Sequence, residues 1–362
     1  MGAPLPTEGI EAFETVQLDA TLAQELLAHA PASAAIRFHV PSFKAYRSSE
    51  IPACGAARWP AVSITGGDCA LNCDHCKAQI LAPMIPARTP EDLWRVVHRE
   101  IARGARGMLL TGGSNRRNEV EYEPYLAVLR RIKDTFPTFR IALHTALTDA
   151  ARARALRDAG IDVAMMDVIG AQDTLTQVYH LKRPVADFEA SLAALMASGL
   201  RVVPHIVLGL HYGHLLGEWQ ALEMVARHRP HALVLVAAMP FYAPPTRPFV
   251  TPNPEEVGRF FLDARRALPD IPILLGCARP PGRARVRIDA YAVLAGLDAI
   301  AHPAEGVVEL ARRLGREVRI VGGCCSLAQD VALDMELLLP DDAATPRATS
   351  RAPFPLPVVT HG

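Results

Sequence analysis

Eight short apolar segments recur along the chain from residue 61 onward, and segments with a helical pattern separate them. The first two are AVSIT and GMLLTGG, and the full set lies at 61–65, 107–113, 140–146, 162–170, 201–209, 232–240, 271–279 and 297–303. Continuous apolar runs of this length are typical of strands buried on both faces of a parallel sheet. Eight such strands with right-handed helical crossovers form a (β/α)8 barrel, and the count favours it over an open doubly wound sheet.

The segments between the strands carry the usual signals of helix ends. Thr89 supplies an N-cap hydroxyl, and Pro90 occupies the first helical position. Thr148 opens a later helix, which Gly160 closes. The alternation of strands and helices predicts an α/β fold class.

The two ends of the chain depart from this pattern. Residues 1–55 are predicted to form an N-terminal extension with an amphipathic helix at 19–30. Residues 56–338 are assigned to the barrel together with a C-terminal segment that contains cysteines. Residues 339–362 are rich in proline and poor in core-forming residues, so we predict a disordered tail.

The balanced overall charge gives no indication of a polyanionic partner. The 362 residues include 38 basic and 38 acidic side chains, so nucleic acid is not the expected ligand. We expect no secretory signal, because the first residues lack a basic region followed by an apolar one. No apolar run approaches the length of about 18 residues that spans a bilayer, so we expect a cytoplasmic protein. Seven cysteines in such a protein indicate metal or redox chemistry rather than disulfides.

Three of these cysteines lie within eight residues. Cys69, Cys73 and Cys76 have the spacing C-x3-C-x2-C and follow the first predicted strand directly, where a barrel collects its active groups. Three thiolates this close can hold three irons of a [4Fe–4S] cube and leave the fourth iron open. The alternative is a structural zinc site with His75 as fourth ligand. Three local cysteines without a nearby fourth make a poor site of that kind.

The cysteine run in this barrel context resembles the signature of the radical S-adenosylmethionine (SAM) enzymes, in which the open iron binds the amino and carboxylate groups of SAM. The resemblance implies that Gly112 and Gly113, after the second strand, contact the SAM amino group. Ser114 stands where many members carry an acid. Two glycines at this place also suit a tight turn.

Residues 167–188 resemble the biotin synthase branch of this family. The resemblance implies that Asp167 binds the SAM ribose and that Arg183 binds the SAM carboxylate, for which a planar guanidinium is suited. The alternatives are a loop-capping aspartate and a surface arginine. Residues 205–218 resemble the glycine-rich motif of the fifth strand, which implies that Gly209 supports the adenine and ribose. Three histidines lie at strand ends: His144, His205 and His211. A lone histidine there is more often a packed residue than a ligand, so we assign none of them a catalytic role.

Four cysteines remain outside the run, and four thiolates are the usual complement of a second iron–sulfur cluster. They are Cys54, Cys277, Cys324 and Cys325. The alternative is that buried cysteines act as small hydrophobic residues. Arg279 lies where, by resemblance, biotin synthase carries an arginine ligand to its auxiliary cluster.

The segments at 38–55 and 322–327 resemble the biotin-synthase-like subunit of the two-component lipoyl synthase. This implies sulfur insertion into an unactivated C–H position of a protein-bound octanoyl chain, with the second cluster as sulfur donor. The implied partners are an electron donor such as ferredoxin or flavodoxin, a lipoyl-carrier protein and a second radical SAM subunit. The alternatives are a radical SAM rearrangement or cofactor-maturation enzyme and a non-catalytic metal-binding protein.

Overall fold

The computed structural model describes residues 16–29, 35–42, 46, 48–51, 59–239, 246–327 and 358–359. Within these residues, eleven strands form one sheet in which every neighbouring pair is parallel. The sheet curls into a half-barrel, and helices cover its outer face. The prediction of an α/β fold of the TIM type is therefore confirmed.

The strands vary from two to eight residues in length. They are β1 (Leu18–Asp19), β2 (Ala35–His39), β3 (Ala61–Ser63), β4 (Ile85–Pro86), β5 (Gly107–Thr111), β6 (Arg140–His144), β7 (Val163–Asp167), β8 (Arg201–Leu208), β9 (Leu233–Ala237), β10 (Ile273–Leu275), β11 (Ala299–Ala301), β12 (Glu317–Val321) and β13 (Val358–Val359). The order in the large sheet is β12-β2-β11-β10-β9-β8-β7-β6-β5-β3-β4.

The helices alternate with the strands along most of the chain. They are α1 (Ala20–His29), α2 (Pro90–Ala102), α3 (Leu126–Thr135), α4 (Ala150–Asp158), α5 (Gln172–Gln177), α6 (Ala186–Ala197), α7 (Glu218–His228), α8 (Pro254–Ala267), α9 (Arg283–Leu294) and α10 (Val307–Arg313). In the described part of the chain, none of them has the length and apolar character needed to cross a bilayer.

All eight predicted strands are present, as β3 and β5 to β11. Two further strands widen the sheet beyond β11. β2 lies inside the predicted N-terminal extension, and it pairs with β11 on one side and with β12 on the other. Residues of the predicted N-terminal extension therefore contribute directly to the sheet.

The predicted helix ends are confirmed at the level of single hydrogen bonds. Thr89 caps α2 by accepting from the Asp92 amide at 3.1 Å, and the Asp92 carboxylate accepts from the Thr89 amide at the same distance. This reciprocal pair is a capping box. Asp149, the neighbour of Thr148, caps α4, and Gly160 follows that helix with a φ of +86°.

Alternating side chains divide the core into two layers. On β7, Val163 and Met165 face the interior of the curled sheet, whereas Ala164 and Met166 face the helices. The interior layer also contains Trp59 and the short 3-10 turn Cys325–Leu327, which contacts β7 and β11. A segment from the end of the barrel thus fills part of the barrel's own interior.

The predicted disordered tail lies outside the described residues except for Val358–Val359. These two residues pair in parallel with Leu18–Asp19.

Gly107 offers a test of how tightly the interior is packed. A Cβ atom at this position would overlap the Trp59 ring and lie 2.6 Å from the Arg140 carbonyl oxygen. We expect Gly107→Ala to lower the free energy of unfolding by about 1–3 kcal/mol, the usual cost of overpacking a core. Urea denaturation measures this change. Gly67→Ala is the control, because no atom lies within 4 Å of its added Cβ, and equal stability of the two variants would contradict the prediction.

Candidate functional site

The three clustered cysteines lie in the loop that follows β3, at the carboxyl edge of the sheet. The Cys69 thiol contacts the Ser114 carbonyl oxygen at 3.7 Å, and Cys73 is almost fully buried. Three residues of this loop adopt left-handed backbone conformations although none is glycine: Asn72, Lys77 and Ala78. Such conformations cost energy and concentrate at functional sites.

The surroundings of these thiols do not favour free thiolates. Burial raises the pKa of Cys73 well above its usual range, and the charges of Cys76 and Cys69 act in the same direction. Burial also raises the pKa of Cys76 to about 11. A bound metal centre would supply the positive charge that three neighbouring thiolates need, so the donor set fits an iron–sulfur cluster.

The zinc alternative would require a fourth ligand beside the three cysteines, and His75 is the candidate. A zinc site needs its thiolates about 2.3 Å from one ion, whereas a cube binds each thiolate through a separate iron. His75, the candidate fourth ligand, packs against the Tyr179 ring with centroids 5.0 Å apart, and its buried Nδ1 has no hydrogen-bond partner.

Gly112 and Gly113 end β5 directly beside the cysteine loop. The Gly113 amide donates to the Thr65 hydroxyl at 2.7 Å. A Cβ atom at Gly113 would overlap the Asp68 carbonyl oxygen and lie 2.6 Å from the Cys69 Cα atom. The absence of a side chain therefore lets the loop after β5 touch the loop after β3. Contact with SAM at these glycines stays a prediction.

Asp167 belongs to a polar group inside the curled sheet. His144, Asp167 and His205 each lie two residues after an interior side chain of their strand, so all three face the interior. His144 Nε2 is 3.5 Å from Asp167 Oδ1, and the His144 and His205 rings are 5.6 Å apart. The ribose role of Asp167 stays a prediction, and its contact with His144 was not expected from the sequence.

Asp167 and His144 stabilise each other's charge. Burial opposes protonation of His144, but the hydrogen bond and charge of Asp167 outweigh it and raise the His144 pKa. Burial likewise opposes ionisation of Asp167, but the bond and charge of His144 outweigh it and lower the Asp167 pKa to about 2.

Arg183 already lies between two carboxylates. Its Nε donates to Asp187 at 2.5 Å, and its Nη1 donates to Glu119 at 3.3 Å. Glu119 also forms an ion pair with Arg152 at 3.1 Å. Its carboxylate therefore keeps a positively charged partner when the contact with Arg183 is broken. The predicted role of Arg183 toward a ligand carboxylate stays a prediction, and it requires an exchange with one of these partners.

Gly209 ends β8 with a φ of +76°, and sequence reasoning missed the residue that holds it. The buried Glu218 accepts from the Gly209 amide at 2.9 Å and from the Leu210 amide at 3.4 Å. Burial raises the pKa of Glu218 to about 7 despite these bonds. The signal in the sequence is an acid directly after Gly217, at the start of α7.

A second missed residue lies inside the cysteine run itself. Asp74 is buried, and its carboxylate accepts from Lys77 Nζ at 2.5 Å, His180 Nε2 at 3.0 Å and the Tyr212 hydroxyl at 2.9 Å. Burial opposes its ionisation, but these three hydrogen bonds lower the Asp74 pKa. The sequence gives no signal for this contact beyond a carboxylate between two cysteines.

Three of the four remaining cysteines lie in one interior cluster. Cys277 follows β10, while Cys324 and Cys325 belong to the turn that enters the barrel. The hydrogen bond from Cys325 lowers the pKa of Cys324, and the charge of His144 adds to this effect. Cys54 lies outside the described residues.

Arg279 is held by protein oxygen atoms. Its Nε lies 2.6 Å from Asp289 Oδ1, and both side chains are at most 1% exposed. It also donates to the carbonyl oxygens of Ala301 and His302 at 2.6 and 2.8 Å. In this structure Arg279 joins α9 to the carboxyl end of β11, and its role toward a second cluster stays a prediction.

Comparison with known proteins agrees with the site. Residues 63–222 match the family model described as Radical SAM superfamily. This segment, somewhat less than half of the chain, is therefore similar to the radical SAM superfamily. The matched residues include all three clustered cysteines and each glycine, aspartate and arginine predicted to bind SAM. No curated protein matches the sequence.

Two solved structures share the fold of this chain. One is HydG, a maturase of the [FeFe]-hydrogenase, with 15% identity, a TM-score of 0.55, and coverage of 86% of this chain and 71% of HydG. The other is methylornithine synthase (PylB), with 11% identity, a TM-score of 0.53, and coverage of 89% of this chain and 98% of PylB. At these identities the similarity shows a common fold.

The pairing of His144 with Asp167 predicts a measurable shift in titration. We expect Asp167→Asn to lower the His144 pKa, because burial then acts without the opposing carboxylate. An NMR titration of the His144 ring protons measures it. Asp173→Asn is the control, because Asp173 is an exposed acid on α5. A His144 pKa that is unchanged or higher in the Asp167 variant would contradict the assignment.

The same pair predicts how stability depends on pH. The raised pKa of His144 stabilises the folded state. This stabilisation is fully present below pH 6.5 and is lost as the pH rises through the pKa of His144 in the folded protein. The lowered pKa of Asp167 also stabilises the folded state. This stabilisation is present above pH 3.8 and is lost as the pH falls toward about 2.

Proposed function

We propose that this protein is a radical SAM enzyme that inserts sulfur into an unactivated C–H position. The observation that carries the proposal is the presence of two separate groups of cysteines in the folded chain. Cys69, Cys73 and Cys76 lie in the loop after β3, and the second group lies in the interior cluster with Met165 and Val234. The His144–Asp167 pair interacts with members of both groups.

The first group is proposed to hold a [4Fe–4S] cluster with one open iron. When bound, such a cluster would pass one electron from the proposed ferredoxin- or flavodoxin-type donor to SAM, whose cleavage to methionine and a 5′-deoxyadenosyl radical would allow hydrogen abstraction from carbon. The protein itself would position the reactants and control access of water to them. Gly113 lets the loop after β5 approach the backbone of Cys69, and the apolar side chains of the interior cluster would help to exclude water from the reacting carbon.

SAM is proposed to lie across the carboxyl ends of the strands. Asp167 would accept hydrogen bonds from the ribose hydroxyls, because its low pKa keeps it ionised. Arg183 would bind the carboxylate of SAM after exchanging its longer contact, the one with Glu119. Gly209, held by Glu218, would support the adenine and ribose.

The second group is proposed to hold an auxiliary cluster that donates sulfur. Cys277, Cys324 and Cys325 supply three thiols within the interior, and Cys54 is the candidate for the fourth. The proposed substrate is a protein-bound octanoyl chain in lipoyl cofactor synthesis. The proposed partners are a ferredoxin- or flavodoxin-type electron donor, a lipoyl-carrier protein and a second radical SAM subunit.

Iron counting tests the number of clusters. We expect anaerobically prepared wild type to contain about eight irons per chain and Cys69→Ala about four. The Cys69 variant should also lose 5′-deoxyadenosine formation, measured by chromatography. Asp68→Asn is the matched control, since Asp68 is the exposed neighbour of Cys69 and contacts Arg88 at the surface. Zinc in place of iron in the wild type would favour a non-catalytic metal-binding protein.

Cys325 separates SAM cleavage from sulfur insertion. We expect Cys325→Ala to keep 5′-deoxyadenosine formation and to lose thiolated product, measured by mass spectrometry. Glu317→Gln is the control, because this acid on β12 is exposed, pairs with Arg319 and supplies no thiol. Thiolated product from the Cys325 variant would exclude this residue from sulfur donation.

A second candidate is a radical SAM rearrangement or cofactor-maturation enzyme without sulfur insertion. The observation that favours it is the polar interior formed by His144, Asp167 and His205, which suits a polar substrate better than an octanoyl chain. A wild-type content of about four irons per chain would support this candidate.

A further inference from the structure

Asp74 connects the cysteine loop to loops that are distant in the sequence. Its carboxylate binds one residue of its own loop, Lys77, and two residues from elsewhere, His180 and Tyr212. The two distant partners are 106 and 138 residues away along the chain. In addition, the Asp74 amide donates to the Val178 carbonyl oxygen at 2.8 Å.

These partners belong to the segments that are proposed to bind SAM. His180 lies between α5 and Arg183, and Tyr212 lies three residues after Gly209. A further contact extends the group, because Arg247 donates to the Tyr212 hydroxyl at 3.1 Å. The loops that follow β3, β7, β8 and β9 therefore meet around one buried carboxylate.

The backbone at both distant partners is unusual. His180 has a φ of +55° and Tyr212 a φ of +53°, in the left-handed region that residues with side chains rarely adopt. Each conformation costs energy and persists only where the surrounding contacts fix it. Here each one brings a hydrogen-bond donor to Asp74. Strain on both sides of the carboxylate is an observation independent of the hydrogen bonds themselves.

The carboxylate also depends on these donors. A buried charge without partners is strongly unfavourable, and removing one member of a buried charged pair leaves the other uncompensated. Lys77 balances the charge of Asp74, while His180 and Tyr212 saturate its oxygen atoms. The arrangement transmits a displacement of any of these loops to the cysteine run.

We propose that Asp74 is a positioning residue that fixes the cysteine loop to the loops after β7 and β8. Retention of the cluster and affinity for SAM then depend on the same carboxylate. The inference rests on the proposed function, since it takes Cys69, Cys73 and Cys76 to be cluster ligands. It adds that a displacement of the loops at the SAM site would also displace the loop that holds the cluster.

The test measures iron release and SAM binding in matched variants. Wild type, Asp74→Ala and Asp68→Ala are reconstituted anaerobically, and iron loss to a chelator is followed by absorbance. We expect Asp74→Ala to release iron about tenfold faster, the size expected for loss of charge-assisted hydrogen bonds. We also expect a weaker Kd for SAM by calorimetry. Asp68→Ala should match wild type, because Asp68 belongs to the same loop but its carboxylate is exposed.

Two gentler variants separate positioning from folding. Asp74→Asn keeps the shape and the hydrogen bonds, because its amide can donate to the Tyr212 hydroxyl, which then donates to the Gln177 carbonyl oxygen at 2.8 Å. Tyr212→Phe removes one donor without changing any charge. We expect both to release iron at rates between wild type and Asp74→Ala, with apo-protein melting temperatures close to wild type.

The outcomes distinguish the two proposals. Wild-type iron release in Asp74→Ala, or equal effects of Asp74→Ala and Asp68→Ala, would overturn the positioning role while leaving the cluster assignment intact. Failure of the wild type to bind iron would overturn the proposed function itself, and the positioning role with it. Faster iron release with unchanged SAM affinity would refute the coupling of the two sites.

Discussion

Parallel pairing of the strands is the constraint on which the site depends. Because every neighbouring pair in the eleven-stranded sheet is parallel, the carboxyl ends of the strands meet at one edge. Side chains from remote parts of the sequence converge there, because each helical crossover returns the chain to the opposite edge before the next strand begins. These are the clustered cysteines after β3, the glycines after β5, His144, Asp167, the loop after β8 and Cys277 after β10. An antiparallel pair would have sent one of its two ends to the opposite edge.

The continuous apolar runs made eight strands predictable, and the exceptions have clear reasons. β2 reads AIRFH, with Arg37 at its centre, so it lacks the uninterrupted pattern of a strand covered on both faces. It is a strand because Ile36 and Phe38 are fully buried and because β11 and β12 supply its hydrogen bonds. Pairing between residues almost 300 positions apart leaves no local signal.

The same limit applies to the candidate site. The spacing of Cys69, Cys73 and Cys76 was readable because the three side chains act as one local group. Asp74 and Glu218 were not readable, because their importance comes from partners or backbone amides that only the folded chain brings near. Arg183 could be singled out by its position, but its two carboxylate partners could not.

The turn at Cys325–Leu327 has a consequence for how the interior is filled. This turn packs against interior side chains of the strands, Met165 among them, and contacts β7 and β11. Part of the interior is therefore filled by a separate piece of chain in addition to the strand side chains. Lengthening or shortening the segment after β12 would change how much of the interior is filled, while the eight central strands and their hydrogen bonds stay as they are.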